Sequence, residues 1–243
     1  MKTDLVKEIY GSMEEKHVTV AGWVRTIRAS KDFGFIELND GTCQKNIQVV
    51  FDRSLDNFDA VEKQNVSACL IVEGNVVLTP SARQPLEIKA TNIIIHGTSE
   101  PDFPIQKKKH SFEYLRTVAH LRPRTNTFTA VFRVRSVLTY AVHRFLQENG
   151  FVYIATPCIT TSDCEGAGEV FRISSIDVEN PPRKEDGHVD WTKDFFGKEA
   201  FMTVSGQLNV EPFCWGFRKV YTFGPCFRAE NSNTPRHAAE FWQ

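Results

Sequence analysis

No stretch of the 243-residue chain approaches the ~18 consecutive apolar residues of a membrane-spanning helix. Its short apolar runs, such as Ile93-Ile94-Ile95, suit buried strands. Met1-Lys2-Thr3-Asp4-Leu5 leads into no apolar segment of a secretory signal. The six cysteines, at positions 43, 69, 158, 164, 214 and 226, form no C-x-x-C pair. A disulfide framework and a structural zinc site are therefore not expected, and a reducing, cytoplasmic compartment is. Two common phosphate-binding loops are missing. There is no G-x-x-x-x-G-K-S/T and no G-x-G-x-x-G, and Gly166-Ala167-Gly168 is too short to stand in for either. G-x-S-x-G and H-E-x-x-H are absent as well. Any nucleotide chemistry must use another device, such as arginines that hold phosphates with a two-pronged fork. Internal repeats and low-complexity segments are also lacking. With 41% hydrophobic and 24% charged residues, the composition is that of a globular protein, one large domain or two smaller ones.

The net charge of −1 names no partner, but its distribution is uneven. Residues 1–98 carry −2, residues 99–135 carry +5 and residues 136–243 carry −4. The basic stretch holds Lys107-Lys108-Lys109, Arg116, Arg122 and Arg124. It reads either as a solvated linker or as a segment that contacts phosphates between two domains, since clustered cations attract a polyanion.

Leu5, Ile9 and Met13, four apart, predict a short amphipathic helix. From residue 17 the period falls to two: Val18, Val20 and Val24 alternate with Thr19, Ala21 and Trp23. Residues 33–38 predict a second strand, Asp40-Gly41 a turn, residues 47–51 a third strand and 54–65 a short helix. A fourth strand, 69–72 and 76–78, is expected to break at Glu73-Gly74-Asn75, and a fifth covers 86–95. Five short strands with a helix between the third and fourth suit a small Greek-key barrel. The OB-fold is the commonest such barrel and often binds oligonucleotides, although the pattern fits other small barrels too. Residues 99–125, with Pro101, Pro104 and Pro123, read as a linker. A long helix over 127–149 places Phe128, Val131, Phe132, Leu138, Ala141, Val142 and Phe145 on one broad face. Residues 151–156 predict a strand running into Pro157, 176–198 a polar insertion loop, and 201–204, 219–223 and 239–242 further strands. The chain stops at Gln243, directly on the last of these, so the C-terminal domain is expected to be unfinished.

Near that end stand Phe227-Arg228-Ala229-Glu230, Arg236-His237 and Glu240-Phe241. The string resembles motif 2 of the class II aminoacyl-tRNA synthetases, and the upstream helix, strand and Pro157 resemble motif 1. Within that class the likeness is greatest to the asparaginyl-tRNA synthetases. It is carried by Ala21-Gly-Trp-Val-Arg25, Tyr114-Leu-Arg116, His120-Leu-Arg-Pro-Arg124, Ser162-Asp-Cys-Glu-Gly-Ala-Gly-Glu169, Asp194-Phe-Phe-Gly-Lys198, Thr203-Val-Ser-Gly-Gln-Leu-Asn209, Tyr221-Thr-Phe-Gly-Pro225 and Phe227-Arg-Ala-Glu-Asn-Ser-Asn-Thr234. The resemblance implies an α+β protein. It divides into an OB-fold anticodon-binding domain over 1–98, a basic hinge over 99–125, and over 126–243 the incomplete first part of an antiparallel-sheet catalytic domain. It also implies that ATP activates L-asparagine to an adenylate, which is passed to the 3′ end of tRNA(Asn) by a cytoplasmic homodimer with no membrane association. Pro157 of motif 1 would lie at the dimer interface. That family is about twice as long. Its motif 3, with an ATP-binding arginine, and its acidic Mg2+ ligands fall beyond Gln243, so this chain alone is expected to be inactive.

The same resemblance assigns roles. Arg228 would hold the ATP α-phosphate and the substrate carboxylate, offsetting the repulsion between two anions. Arg236 and His237 would grip the γ-phosphate or pyrophosphate, Phe241 would stack on adenine, and Glu230 would lie near the transferred nucleotide. Glu165, in a glycine-rich closing loop, would hold the α-ammonium group. Ser205, Gln207 and Glu211 would face the asparagine, with Gln207, Val210 and Glu211 on one face of a helical turn. The related aspartyl enzymes place a lysine where Val210 stands. Without that cation, Glu211 can accept from an amide N–H, which favours a carboxamide substrate if Glu211 is buried. Pro212 departs from the family pattern and is expected to shift the start of that helix. In the barrel, Phe35 and Gln48 would read the middle anticodon uridine, and Arg25 and Arg28 would hold backbone phosphates. Two other readings stay open: a tRNA-anticodon-binding protein without catalysis, and an aspartyl-tRNA synthetase-like paralogue.

Overall fold

The computed structural model describes every residue except Met1, Asp163, Glu165, Ala167, Gly168, Asn231, Ser232, Asn233 and Pro235. It contains two compact units, Met1–Arg135 and Ser136–Gln243.

The first unit is built on a closed barrel. Its strands are β1 (His17–Ala29), β2 (Phe33–Asn39), β3 (Ile47–Asp52), β4 (Cys69–Leu78) and β5 (Leu86–Gly97), in the order β1-β2-β3-β5-β4. β1 pairs antiparallel with both β2 and β4, which is what closes the sheet. β3 and β5 run parallel. Strict alternation sends Ile36, Leu38, Ile47, Val49, Phe51, Leu70, Val72, Leu86 and Ile88 inward to one core. Helix α1 (Val6–Ser12) closes one end with buried Val6 and Ile9, and Val6 N–H donates to the Asp40 carboxylate at 2.8 Å. Helix α2 (Phe58–Val61), shorter than the 54–65 expected, buries Phe58 and Val61 between β3 and β4. β4 does not break at 73–75. A register shift at Glu73/Gly74 carries it through, and a side chain at Gly74 would meet Lys89 O at 2.3 Å. Glycine is there for the close approach of two strands, not to end one.

The segment after the barrel is more folded than its composition suggests. Ile105 and Leu115 are buried, and helix α3 (Phe112–Thr117) is capped by Ser111. Gln106 and the Tyr114 hydroxyl bond to backbone carbonyls of 101–104. Arg25 donates to the Arg124 carbonyl and to Asn126 Oδ1, and Arg124 lies over the rings of Trp23 and Phe103. Helix α4 (Asn126–Glu148) follows as expected.

The second unit has short strands. β6 (Val152–Tyr153) runs parallel to β10 (Val220–Tyr221). β9 (Ala200–Met202) lies between β7 (Ile159–Thr160) and β8 (Arg172–Ile173), and β11 (Pro225–Phe227) pairs antiparallel with β12 (Glu240–Trp242). The expected 151–156 strand is thus only two residues long. Its ladder ends where Ile154 N–H bonds Tyr221 O, and Pro157 has no N–H to extend it. Helix α5 (Gln207–Val210) begins where the sequence reading places it. Pro212 does not shift its start. It sits in the first turn of the 3-10 segment Glu211–Trp215, where a missing N–H costs nothing, and so ends the α-helix. Among the described residues, no helix is long and apolar enough to cross a membrane.

Candidate active site and barrel face

Arg228 follows β11 directly, and its N–H donates to Ala239 O at 2.9 Å. The side chain turns across the β11–β12 pair, with its guanidinium carbon 5.2 Å from the centroid of the Phe241 ring. Among the described residues, the buried Nε of Arg228 has no hydrogen-bond partner. Leaving a buried donor unsatisfied costs about 1–3 kcal/mol, more when it is charged. A guanidinium fixed in this way is suited to an anion.

β9 brings a second set of groups to the same strand. Phe227 N–H bonds Thr203 O at 2.8 Å. Buried Thr203 donates its hydroxyl to Ser205 O at 2.5 Å and accepts from Ser205 N–H at 3.3 Å. Buried Ser205 in turn accepts from Gln207 N–H at 3.1 Å. Each residue in this ladder fixes the next, so Ser205 and Gln207 are held against the strand that carries Arg228. Burial raises the Cys226 thiol above its ordinary pKa, opposed by a bond from the Gly206 backbone and by the charge of Arg228. One face of α5 behaves as the i, i+4 spacing requires: Gln207 Nε2 donates to Glu211 Oε1 at 2.9 Å. Glu211 is exposed, however, so the argument from a buried carboxylate repelling aspartate does not hold. What remains is a solvent-screened negative charge with no cation at Val210.

The other expected residues divide. Glu230, Arg236 and His237 are exposed, and His237 Nδ1 meets the Thr234 hydroxyl at 2.5 Å. No hydrogen bond or ion pair among the described residues joins Arg236 or Glu230 to Arg228. Pro157 is exposed between β6 and β7. Glu165 lies outside the described residues. For magnesium, no group of three histidine, cysteine or carboxylate side chains is gathered among the described residues.

On the barrel, Phe35 points outward, since its neighbours Gly34 and Ile36 are the buried ones. It is therefore not the core aromatic that a strand phenylalanine usually is. Arg28 is its cross-strand partner and lies 4.8 Å over its ring. Phe33 packs edge-on at 5.5 Å. Gln48, on the same outer face, donates to Glu87 at 2.8 Å. Arg25 differs from Arg28: both of its terminal nitrogens are occupied by residues 124–126, so it ties the following segment to the barrel.

The model for "OB-fold nucleic acid binding domain" matches residues 18–95, and the model for "tRNA synthetases class II (D, K and N)" matches residues 111–243. The chain belongs to the class II tRNA synthetases. It is 61% identical to the asparagine–tRNA ligase of Acetivibrio thermocellus over 246 residues, and 61% identical to that of Clostridium acetobutylicum over 245. In both cases all of this chain and 53% of the relative are covered. The chain thus spans about half the length of the curated relatives it matches. Asparaginyl-tRNA synthetase from Pyrococcus horikoshii, complexed with asparaginyl-adenylate, superposes with a TM-score of 0.81 at 26% identity over 100% of this chain and 52% of that one. The Entamoeba histolytica asparaginyl-tRNA synthetase, at 24% identity and TM-score 0.76 over 94% of this chain and 49% of that one, supports the fold alone.

Two contributors to this synthetase half went unnoticed in the sequence reading. Thr203 stands in the quoted string Thr203-Val-Ser-Gly-Gln, but nothing in its spacing marks it as the donor that orients Ser205. Asp194 opens the quoted string Asp194-Phe-Phe-Gly-Lys198, but nothing in its spacing marks its bonding partners. Its buried carboxylate accepts from both hydroxyls of Ser174 and Ser175 and from the backbone N–H of Ser175 and Phe195, at 2.7–2.9 Å. It thereby fastens the end of the 176–198 loop to the segment after β8. Beside it, Arg172 of β8 pairs with Glu199 at 2.8 Å and lies over Trp191.

These bonds, the Ser175 hydroxyl first, hold the Asp194 carboxyl well below the usual carboxylate range. A depressed folded pKa means stabilisation that is complete above the unfolded value of about 3.9 and lost as pH falls through the folded one. Asp194→Asn should therefore melt below the unaltered protein at pH 7, and the gap should close as the pH is lowered below about 4. A pH-independent gap in thermal melts would show that the charge is not what holds the loop.

Proposed function

We propose that this protein acts in asparagine–tRNA ligation, as the amino-acid-facing part of the catalytic domain joined to the anticodon-binding barrel. The barrel corresponds to residues 1–98, the hinge to 99–125 and the catalytic part to 126–243. In the reaction, a carboxylate oxygen of L-asparagine attacks the α-phosphorus of ATP. An O–P bond forms, the bond to the β-phosphate oxygen breaks, and pyrophosphate leaves. A terminal ribose hydroxyl of tRNA(Asn) then attacks the acyl carbon and releases AMP.

The observation that carries this reading is the guanidinium of Arg228, held over Phe241 with its buried Nε unpartnered among the described residues. Two anions must approach in the first step, and a fixed guanidinium offsets their repulsion and the charge gathering at phosphorus. Because β11 and Phe241 already hold it, no reorganisation is needed as the charge develops. One face of Phe241 carries Arg228, and its other face suits adenine. In this reading Arg236 and His237, both exposed, take the outer phosphates, and Glu230 lies near the nucleotide end. Ser205 and Gln207 face the amino acid, with Glu165 of the glycine-rich loop assigned to its ammonium group. The high identity to asparagine–tRNA ligases supports asparagine over aspartate, as does the absence of a cation at Val210. We assign the protein to the cytoplasm, in keeping with its free thiols. A homodimer through α4 and Pro157 is supported by the exposure of Val137, Leu138 and Phe145 on that helix.

Because the chain spans about half of its relatives, the chemistry is best measured with the remaining half of the Acetivibrio thermocellus ligase supplied in trans. Asparagine-dependent ATP–pyrophosphate exchange should appear, aspartate should not replace asparagine, and Arg228→Ala should reduce exchange at least ~100-fold, the range for losing one preorganised charge-stabilising donor. Exchange that survives Arg228→Ala would remove the residue from the reaction.

For the barrel, Arg28, Phe35 and Gln48 form the proposed anticodon face, with Arg25 bracing the segment behind it. Phe35→Ala should weaken binding of the asparagine tRNA anticodon stem–loop by about 1–3 kcal/mol, the worth of one base–aromatic stack. Unchanged affinity in a filter or calorimetric assay would take Phe35 out of the interface.

A further inference from the structure

The first unit contains a cavity of about 770 Å³ between the barrel wall and the folded segment that follows it. Its size lies within the ~300–1,000 Å³ range of small-molecule sites. Val24, Val66 and the buried Ile105 and Leu115 supply an apolar lining. Arg25 and Arg124 also line it, and Lys107, Lys108 and Lys109 stand along its edge. Glu37 and Glu113 are the only carboxylates among the lining residues.

The two arginines are unusual. Both are half-buried, and burial first holds each guanidinium below its ordinary pKa; Arg124 adds repulsion to Arg25, of which Glu37 offsets a part. Among the described residues, neither forms a salt bridge. Arg25 bonds neutral oxygens, and the side chain of Arg124 meets only aromatic rings. Keeping two like charges close together in a partly desolvated wall, with three more cations beside them, is unfavourable unless an anion offsets it.

We propose that this cavity binds a small phosphate-bearing ligand of nucleotide size, with its phosphates on Arg124 and Lys107–Lys109 and its flat, less polar part against the apolar lining. The site lies wholly in the first unit and involves none of the residues assigned to adenylate formation, so it stands or falls separately from that reading.

The test is calorimetric titration of the full 243-residue chain carrying Arg228→Ala, with ATP and with tripolyphosphate as probes. Saturable binding of ATP should persist in that background. Arg124→Ala, and separately the exposed pair Lys107→Gln with Lys109→Gln, should each weaken it about tenfold or more, the loss expected for charge-assisted contacts. The lysine pair guards against a folding effect of Arg124→Ala, since neither lysine packs against the core. ATP binding that disappears with Arg228→Ala alone, or that ignores the lysine pair, would overturn the proposal. So would a lysine effect confined to a single-stranded RNA oligonucleotide, which would make this edge a nucleic-acid surface instead.

Discussion

The second unit is organised around one guanidinium that the protein itself leaves incompletely bonded. Arg228 is fixed at its backbone by the β11–β12 pairing and at its side chain by Phe241, and its buried Nε meets no acceptor among the described residues. Everything close to it works to hold that geometry. Thr203 bonds both the strand of Arg228 and the turn of Ser205, and Gly206 is packed so tightly that an added carbon would lie 2.6 Å from the Thr156 hydroxyl. A guanidinium held in place in this way suits charge that develops during a reaction, because it need not reorganise.

The first unit follows a different constraint, the two-residue period of a closed sheet. A barrel with no free edge leaves only its outer face for recognition, and alternation decides which side chains reach it. Phe35, Gln48 and Arg28 are outward because Ile36, Val49 and Ile27 lie on or against the core. Arg28 over the Phe35 ring makes a platform that is both flat and positive, the two properties that unstacked bases and their phosphates require.

Much of this was legible in the residues. Hydrophobic alternation marks all five barrel strands, and the motif strings contain Arg228 and the Ser205–Gln207 turn. What escaped has physical causes. A glycine in a strand signals either a break or a close approach, and only the β4–β5 register shows that Gly74 is the second. A proline-rich basic segment composes like a linker, but Ile105, Leu115 and the Arg25 bonds fold it against the barrel, and such long-range contacts leave no local period. The bond ladder of Thr203 and the four bonds onto Asp194 join residues whose types are common anywhere on a surface. The exposure of Glu211 likewise depends on where a short helix lies, which its i, i+4 spacing does not encode.

The central claim is that the unpartnered edge of Arg228 is the place where the acyl-phosphate of an asparaginyl-adenylate sits. A crystal structure of the chain with a non-hydrolysable asparaginyl-adenylate analogue tests this directly. The account predicts an oxygen at the phosphate position about 2.7–3.1 Å from Arg228 Nε, the ordinary hydrogen-bond range, with the adenine against Phe241. An analogue bound with Arg228 Nε still unpartnered, or bound away from the β11–β12 pair, would contradict it.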